Sequence, residues 1–327
     1  MGKRTLGFVF DCQEDYLAQG FTQEQVAEFD PRETVEAIAA GLAACGWEVT
    51  LVGNGRALAR ALASGKRYDL VFNIAEGVAG FSREAQVPAL CELFQQKYTF
   101  SDPLACALTL HKAKAKQVIA AAGLPTARFF LVSGPEDLEH PAFPGPYFAK
   151  PVAEGSSKGI SSACLAPDLP ALAAACHELL AGFAQPVLVE EWLPGREVTV
   201  GVVGNGAAAQ VVGVMEVVFG ENAEAPAYTA LNKKEYLERV RYRLLEQEPL
   251  ALQARGLALA CYRELGLRDA ARLDFRTDAA GQLQFLEANP LPGLDPVRSD
   301  LPIMARLAGW SYPALLQAIL EAAWSRP

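Results

Sequence analysis

The chain has 327 residues, 51% of them hydrophobic, and a formal net charge of −9. Such a length buries a large core in two or three domains. The acidic balance, with no basic stripe to offset it, excludes a general nucleic-acid binder. No apolar run approaches the roughly 20 residues of a membrane helix, so no membrane partner is expected either. Seven scattered cysteines without a CxxC pair, beside only three histidines, fit reduced thiols and argue against zinc. The opening MGKRTLGFVFDC starts basic but lacks the apolar stretch of a signal peptide, and a cytoplasmic location is expected.

Residues 5–10 (TLGFVF) read as a buried strand. Residues 30–46 read as a helix with Asp30 as N-cap, Glu33 completing a capping box and Gly46 beyond its end. Strand 48–53, helix 57–65 and strand 69–77 follow, and this βαβαβ order predicts a parallel sheet with its ligand crevice at the carboxyl ends of the strands. AEGVAGFSREAQ, with Glu76, Arg83 and Glu84, therefore falls where a substrate loop belongs, or forms an ordinary βα loop. A helix over 110–125 stops at Gly-Leu-Pro.

Beyond it the pattern turns to strand-rich α+β: strands 128–132 and 147–151, the loop AEGSSKGIS, helix 169–182 and strand 187–195. Next comes EVTVGVVGNG, whose Gly-Asn-Gly (204–206) predicts a hairpin turn. No internal repeat or low-complexity tract is present. In EGSSKG, Gly155 and Gly159 permit tight turns, and successive N–H groups there can cradle an anion, with Lys150 upstream adding a point charge. A plain flexible hairpin is the alternative.

FLEANPLPGLDP (285–296) closes a strand with Glu287 and Asn289 two residues apart, on one face by period-two alternation, before prolines restrict the chain. Hard oxygen ligands at a rigid strand end suit Mg²⁺; a surface strand entering a turn is the bland alternative. Upstream, ARLDFRTDAAGQLQFLEAN reads as two strands around a turn at Asp278 and Gly281. Pairing 274 with 285 sets Arg272 opposite Glu287. Arg272, Asp274, Glu287 and Asn289 then share one face, while Leu273, Phe275, Leu286 and Ala288 form the apolar other. Such a face could hold two Mg²⁺ ions and keep a guanidinium for transition-state charge.

Lys112, AKPVAEGSSKGIS, VEEWLPGREVTV, ARLDF, FLEANPLPG and SDLPI, in that order, resemble D-alanine–D-alanine ligases of the ATP-grasp superfamily, well over about residues 100–320 and in layout only before that. The resemblance implies an ATP-grasp fold: an N-terminal parallel-sheet α/β domain (1–108), then two α+β lobes (109–194 and 195–327) holding ATP between them. It implies Lys112 and Lys150 on the ATP phosphates and Ser156 and Ser157 in the phosphate-closing loop. Glu190, Glu191, Trp192 and Leu193 match the adenine-reading segment, and Glu197 the ribose carboxylate. Asp274, Glu287 and Asn289 match ligands of two Mg²⁺, with Mn²⁺ an alternative, and Arg272 matches the oxyanion-stabilising arginine. Gly293 and Ser299 match the acceptor side.

NKKEYLERVRY (232–242) sits where the family carries a mobile loop, whose Lys233 or Lys234 would contact phosphate, or else forms a solvated charged helix. The family's glutamate loop after the first strand is missing. Glu28 stands nearest in position as a candidate catalytic carboxylate beside Ser156, and Glu76-Gly77 replaces the family's His-Gly as a candidate substrate contact. The implied activity is ATP-dependent joining of two amino acids through an acyl phosphate. A specialised-pathway ligase with other substrates, or a nucleotide-binding regulator without turnover, stays open, as does a homodimer.

Overall fold

The computed structural model describes residues 3–219 and 240–326; Lys233 and Lys234 lie outside the described residues. Strand β1 (Thr5–Val9) runs between β2 (Glu48–Gly53) and β3 (Leu70–Asn73) in a parallel sheet of order β2-β1-β3. Its alternation is apolar on both sides because both faces are covered. Leu6 and Phe8 pack with Ile38 and Leu42 of α2 (Arg32–Ala44) and with Leu316 and Ile319 of the closing helix Tyr312–Trp324. Val9 and Val71 meet Leu58 and Leu62 of α3 (Gly55–Ala63) on the other side.

One capping expectation fails. The helix begins after Pro31, which stands at the N-cap with no side-chain cap bond. Asp30 is held by its backbone instead, with its carbonyl accepting from Gln13 N–H at 3.0 Å. The Pro at 31 sets the entry to the helix one residue later, and the carboxylate of Asp30 is left to line a cavity. Glu33 completes no box either; it pairs with Arg298.

The remaining two sheets are antiparallel. One, of order β4-β7-β5-β6, comprises β4 (Phe129–Val132), β5 (Tyr147–Pro151), β6 (Leu165–Ala166) and β7 (Val187–Glu191), covered by a helix at Leu169–Phe183. The other, of order β10-β9-β8-β11-β12, comprises β8 (Glu197–Val203), β9 (Gln210–Phe219), β10 (Val240–Leu244), β11 (Ala270–Thr277) and β12 (Leu283–Asn289), packed on a helix at Pro249–Glu264. The β8–β9 connection spans residues 204–209, longer than the Gly-Asn-Gly turn alone. The helix expected over 110–125 runs from Lys112 to Ala121, and it is preceded by a separate helix at Pro103–Leu110, with His111 between the two. The second of these ties the two antiparallel sheets together, since Phe285 N–H donates to the Pro125 carbonyl and the Lys116 ammonium to the Phe285 carbonyl, both at 2.9 Å.

Candidate active site

The β11–β12 hairpin carries the centre of the site, in a register different from the expected one. Asp274 lies opposite Glu287 and Arg272 opposite Asn289, and a bulge between Asp274 and Phe275 sets Phe275 against Phe285. The extra residue on β12 breaks the alternation. Phe285 and Ala288 are both buried in the core, whereas Leu286 and Glu287 both line the cavity. Leu286 thus leaves the apolar face assigned to it and becomes part of the site's wall. The four polar residues still share one face.

On that face Arg272 donates from Nε to Asp274 Oδ1 at 3.1 Å and from Nη2 to Oδ2 at 3.0 Å, while its Nη1 lies 3.2 Å from Asp300 Oδ2. Burial works against this guanidinium, but Asp274 and Asp300 hold its pKa above the ordinary arginine value; it is a fixed cation. The Thr199 hydroxyl donates to Asp274 Oδ1 at 2.6 Å and Asn289 Nδ2 to Oδ2 at 3.1 Å, which leaves the amide oxygen of Asn289 for a cation. Two carboxylates and an amide oxygen are the hard donors that Mg²⁺ or Mn²⁺ takes, so the residues present fit a divalent ion.

Beside the hairpin, the sheet containing β5 and β7 faces the first cavity. Lys150 on β5 and Lys116 on the helix Lys112–Ala121 both point at Glu190 on β7, at 2.7 and 2.6 Å. Burial alone would raise the Glu190 carboxyl, yet the two ammonium groups hold it below the ordinary glutamate value. Burial likewise opposes the Lys150 charge, and Glu190 with Glu287 keeps its pKa above normal. Lys112 Nζ sits 3.5 Å from Glu287 Oε2 and donates to the Glu154 carbonyl. The cavity is walled by Phe148, Ile160, Leu193, Val198 and Leu286, with Trp192 against Phe148 and under the Arg276 guanidinium at 4.3 Å. Arg276 also lies 3.4 Å from Glu197. Glu191 turns its carboxylate to Arg128 in two bonds of 2.8 Å.

A second cavity, about 260 Å³, adjoins the first. Glu28, Asp30, Glu76 and Glu84 come to it from the parallel-sheet side, Gly293 and Ser299 from the loop after β12. A Cβ on Gly293 would come within 2.7 Å of the Ser299 hydroxyl, which itself accepts from Asp295 N–H at 3.0 Å. Arg83 staples the two sides: its Nη2 reaches Glu28 at 2.7 Å and its Nη1 the Ala153 carbonyl at 2.8 Å. Glu28 also accepts from Gly155 N–H. Ser156 and Ser157 follow with φ of 47° and 57°, a strained left-handed pair of the kind that turns successive N–H groups inward. Ser156 lines the second cavity, Ser157 the first.

A family model described as "D-ala D-ala ligase C-terminus" matches residues 118–321. The chain belongs to the D-alanine–D-alanine ligase family. A D-alanine–D-alanine ligase of Gluconobacter oxydans is 34% identical over 286 residues, 86% of this chain and 90% of that one. An uncharacterized protein of Sinorhizobium fredii is 33% identical over 303 residues, covering 89% of this chain and 87% of its own. The crystal structure of a D-alanine–D-alanine ligase from Bacillus anthracis complexed with ATP superposes with a TM-score of 0.74 at 19% identity, covering 99% of this chain and 97% of that one. The fold is therefore ATP-grasp, and the protein is an ADP-forming carbon–nitrogen ligase that uses ATP and a divalent metal. No helix among the described residues is long and apolar enough to cross a membrane.

Against this family site, Lys112, Lys150, Ser157, Glu190, Trp192, Leu193, Glu197, Arg272, Asp274 and Glu287 gather on one cavity, and Glu28, Glu76, Ser156, Asn289, Gly293 and Ser299 on the other. Glu190 lines the first cavity while its carboxylate pairs with two lysines. Lys116 and Asp300 are the residues the sequence reading missed. A signal existed for Lys116, which stands four residues from Lys112 and three from the buried Ile119, on the inward stripe of its helix.

Proposed function

We propose that the protein joins two amino acids in the manner of a D-alanine–D-alanine ligase, with the division of labour that the two cavities suggest. Lys112 and Lys150 would neutralise the ATP phosphates, with Ser156 and Ser157 closing over them. Trp192, Leu193 and the main chain of 191–193 would hold adenine, and Glu197 the ribose. Asp274, Glu287 and Asn289 would hold two Mg²⁺ ions, which when bound offset charge on the transferring phosphoryl group. Gly293 and Ser299 would face the acceptor, Glu28 and Glu76 the donor. The division of the chain at residues 108 and 194 is part of the same proposal.

The observation that carries this reading is a shared wall. Arg272 and Asp300 line both cavities, so one fixed cation borders the nucleotide space and the amino-acid space at once. In the reaction a carboxylate oxygen of the donor takes the γ-phosphoryl group, with the P–O bond to ADP breaking. The acceptor amine then attacks the acyl carbon, loses a proton and expels phosphate. Arg272 would face the oxyanion of that second step. Water would hydrolyse the acyl phosphate, which gives the Gly155–Gly159 loop its purpose as a cover.

The test is ADP release on adding pairs of amino acids to the protein with ATP and Mg²⁺, with the product's mass measured in parallel. ADP and a condensed product in equal amounts are expected. ATP bound without amino-acid-dependent turnover would mark a regulator instead. A ligase with other substrates than D-alanine is the second reading, favoured by the acidic parallel-sheet side of the second cavity.

A further inference from the structure

The second cavity holds carboxylates that no described residue answers. Glu84 is 7% exposed, and its Oε2 is buried with no hydrogen-bond partner among the described residues. Arg83, next to it in sequence, is committed to Glu28 and the Ala153 carbonyl. Glu76 lines the same cavity, and neither it nor Glu84 has an ion pair among the described residues. The other cations at the cavity are also taken: Arg272 by Asp274 and Asp300, Arg298 by Asp295 and Glu33.

A simple amino acid brings one ammonium together with its own carboxylate. Its net charge of zero leaves one of the two glutamates either ionised without a partner, at a large desolvation cost, or protonated. A metal ion or a proton can also answer paired acids, but an organic cation is the answer that an amino-acid substrate can itself bring. Resting on the ligase reading above, we propose that the cavity selects a diamino acid as donor, its second ammonium held between Glu76 and Glu84. Burial pushes both carboxyls above the ordinary glutamate range; at Glu76 repulsion from Glu84 and Glu28 adds to it, and at Glu84 Arg83 opposes while Glu28 adds. A bound cation relieves that repulsion.

The test compares ornithine with its uncharged isostere norleucine, each as both enantiomers. Binding to the full chain is measured by calorimetry with a non-hydrolysable ATP analogue and Mg²⁺, and ADP release is measured separately with ATP. Ornithine of one hand is expected to bind at least about 10-fold more tightly than norleucine. Glu84→Gln and Glu76→Gln should each bring that ratio towards one, with both variants checked for retained fold by circular dichroism. Equal binding of the two isosteres, or a ratio unmoved by both substitutions, overturns the inference. If amino acids still release ADP in that case, the ligase reading stands without it. Cation-selective binding with no ADP release from any amino acid would leave the inference standing and sink the ligase reading. No binding of either amino acid overturns the inference outright.

Discussion

Glu84→Gln should make the protein more stable above neutral pH and no more stable in acid. The Glu84 carboxyl is pushed up to about 7 from its ordinary 4.5, chiefly by burial, with Arg83 opposing and Glu28 adding to it. A carboxyl raised in the fold favours its protonated form. Its contribution to stability is therefore complete below about pH 4.5 and is lost as pH rises towards 7. At roughly 1.4 kcal/mol per pH unit of displacement, the loss approaches about 3 kcal/mol, shared with Glu76, which repels the same charge. Glutamine keeps the shape, carries no charge and can donate to neighbouring carboxylates. The variant's advantage should thus grow from near zero at about pH 4.5 to between ~1 and ~3 kcal/mol at about pH 8, a rise of several degrees in melting midpoint. Thermal denaturation of both proteins across that range measures it. A gap of constant size at every pH, or a variant less stable at about pH 8, would show that Glu84 is compensated in the fold and refute the argument.

Three further outcomes are expected. Glu287→Gln should fold normally yet lower turnover by orders of magnitude at ordinary Mg²⁺, because Asp274 would be the only carboxylate left in the metal set; near-normal initial rates would sink that assignment. Arg272→Met should depress kcat far more than it weakens ATP binding, since a charge facing the second-step oxyanion acts mainly in the transition state, and loss of nucleotide affinity alone would make the arginine a phosphate clamp. Lys116→Met breaks a fully buried triad and should cost about 3–5 kcal/mol in chemical denaturation, although Lys116 does not line the nucleotide cavity; a change under ~1 kcal/mol would mean that Lys150 alone satisfies Glu190.

Much of the frame is legible because local pattern and packing agree. Leu6 and Phe8 alternate with Val9 onto two covered faces, so a short apolar run followed by a helix period already implies a doubly covered parallel strand. The failures have local physical causes. Asp30 looks like an N-cap, but Pro31 takes that place. The β11–β12 register differs from the expected one by one residue next to the turn and by a second beyond the bulge, and no residue type in LQFLEAN announces a bulge. Glu190 sits in a segment that resembles an adenine reader, and its pairing with Lys116, 74 positions earlier in the chain, has no local signal.

The same distinction separates the two halves of the site. Phosphoryl transfer makes one set of demands whatever is joined, and the hairpin meets most of them within 18 consecutive residues, Arg272 to Asn289. A local block that satisfies fixed chemistry can be read from sequence. The second cavity is assembled differently: Glu28 and Asp30 precede α2, Glu76 and Glu84 follow β3, and Gly293 and Ser299 follow β12. Gly293 and Ser299 fall in FLEANPLPG and SDLPI, but Glu28 and Asp30 carry no pattern, and in AEGVAGFSREAQ the acids and Arg83 could as well pair with one another. Only the fold shows that Arg83 is spent on Glu28 and Ala153, and that the acid left over faces a cavity. A protein that needed this loop only for support could relieve the burial with an amide and become more stable. Retaining two carboxylates that no described residue answers at the wall of the proposed substrate cavity, against that gain, is what a requirement for a cationic substrate would produce.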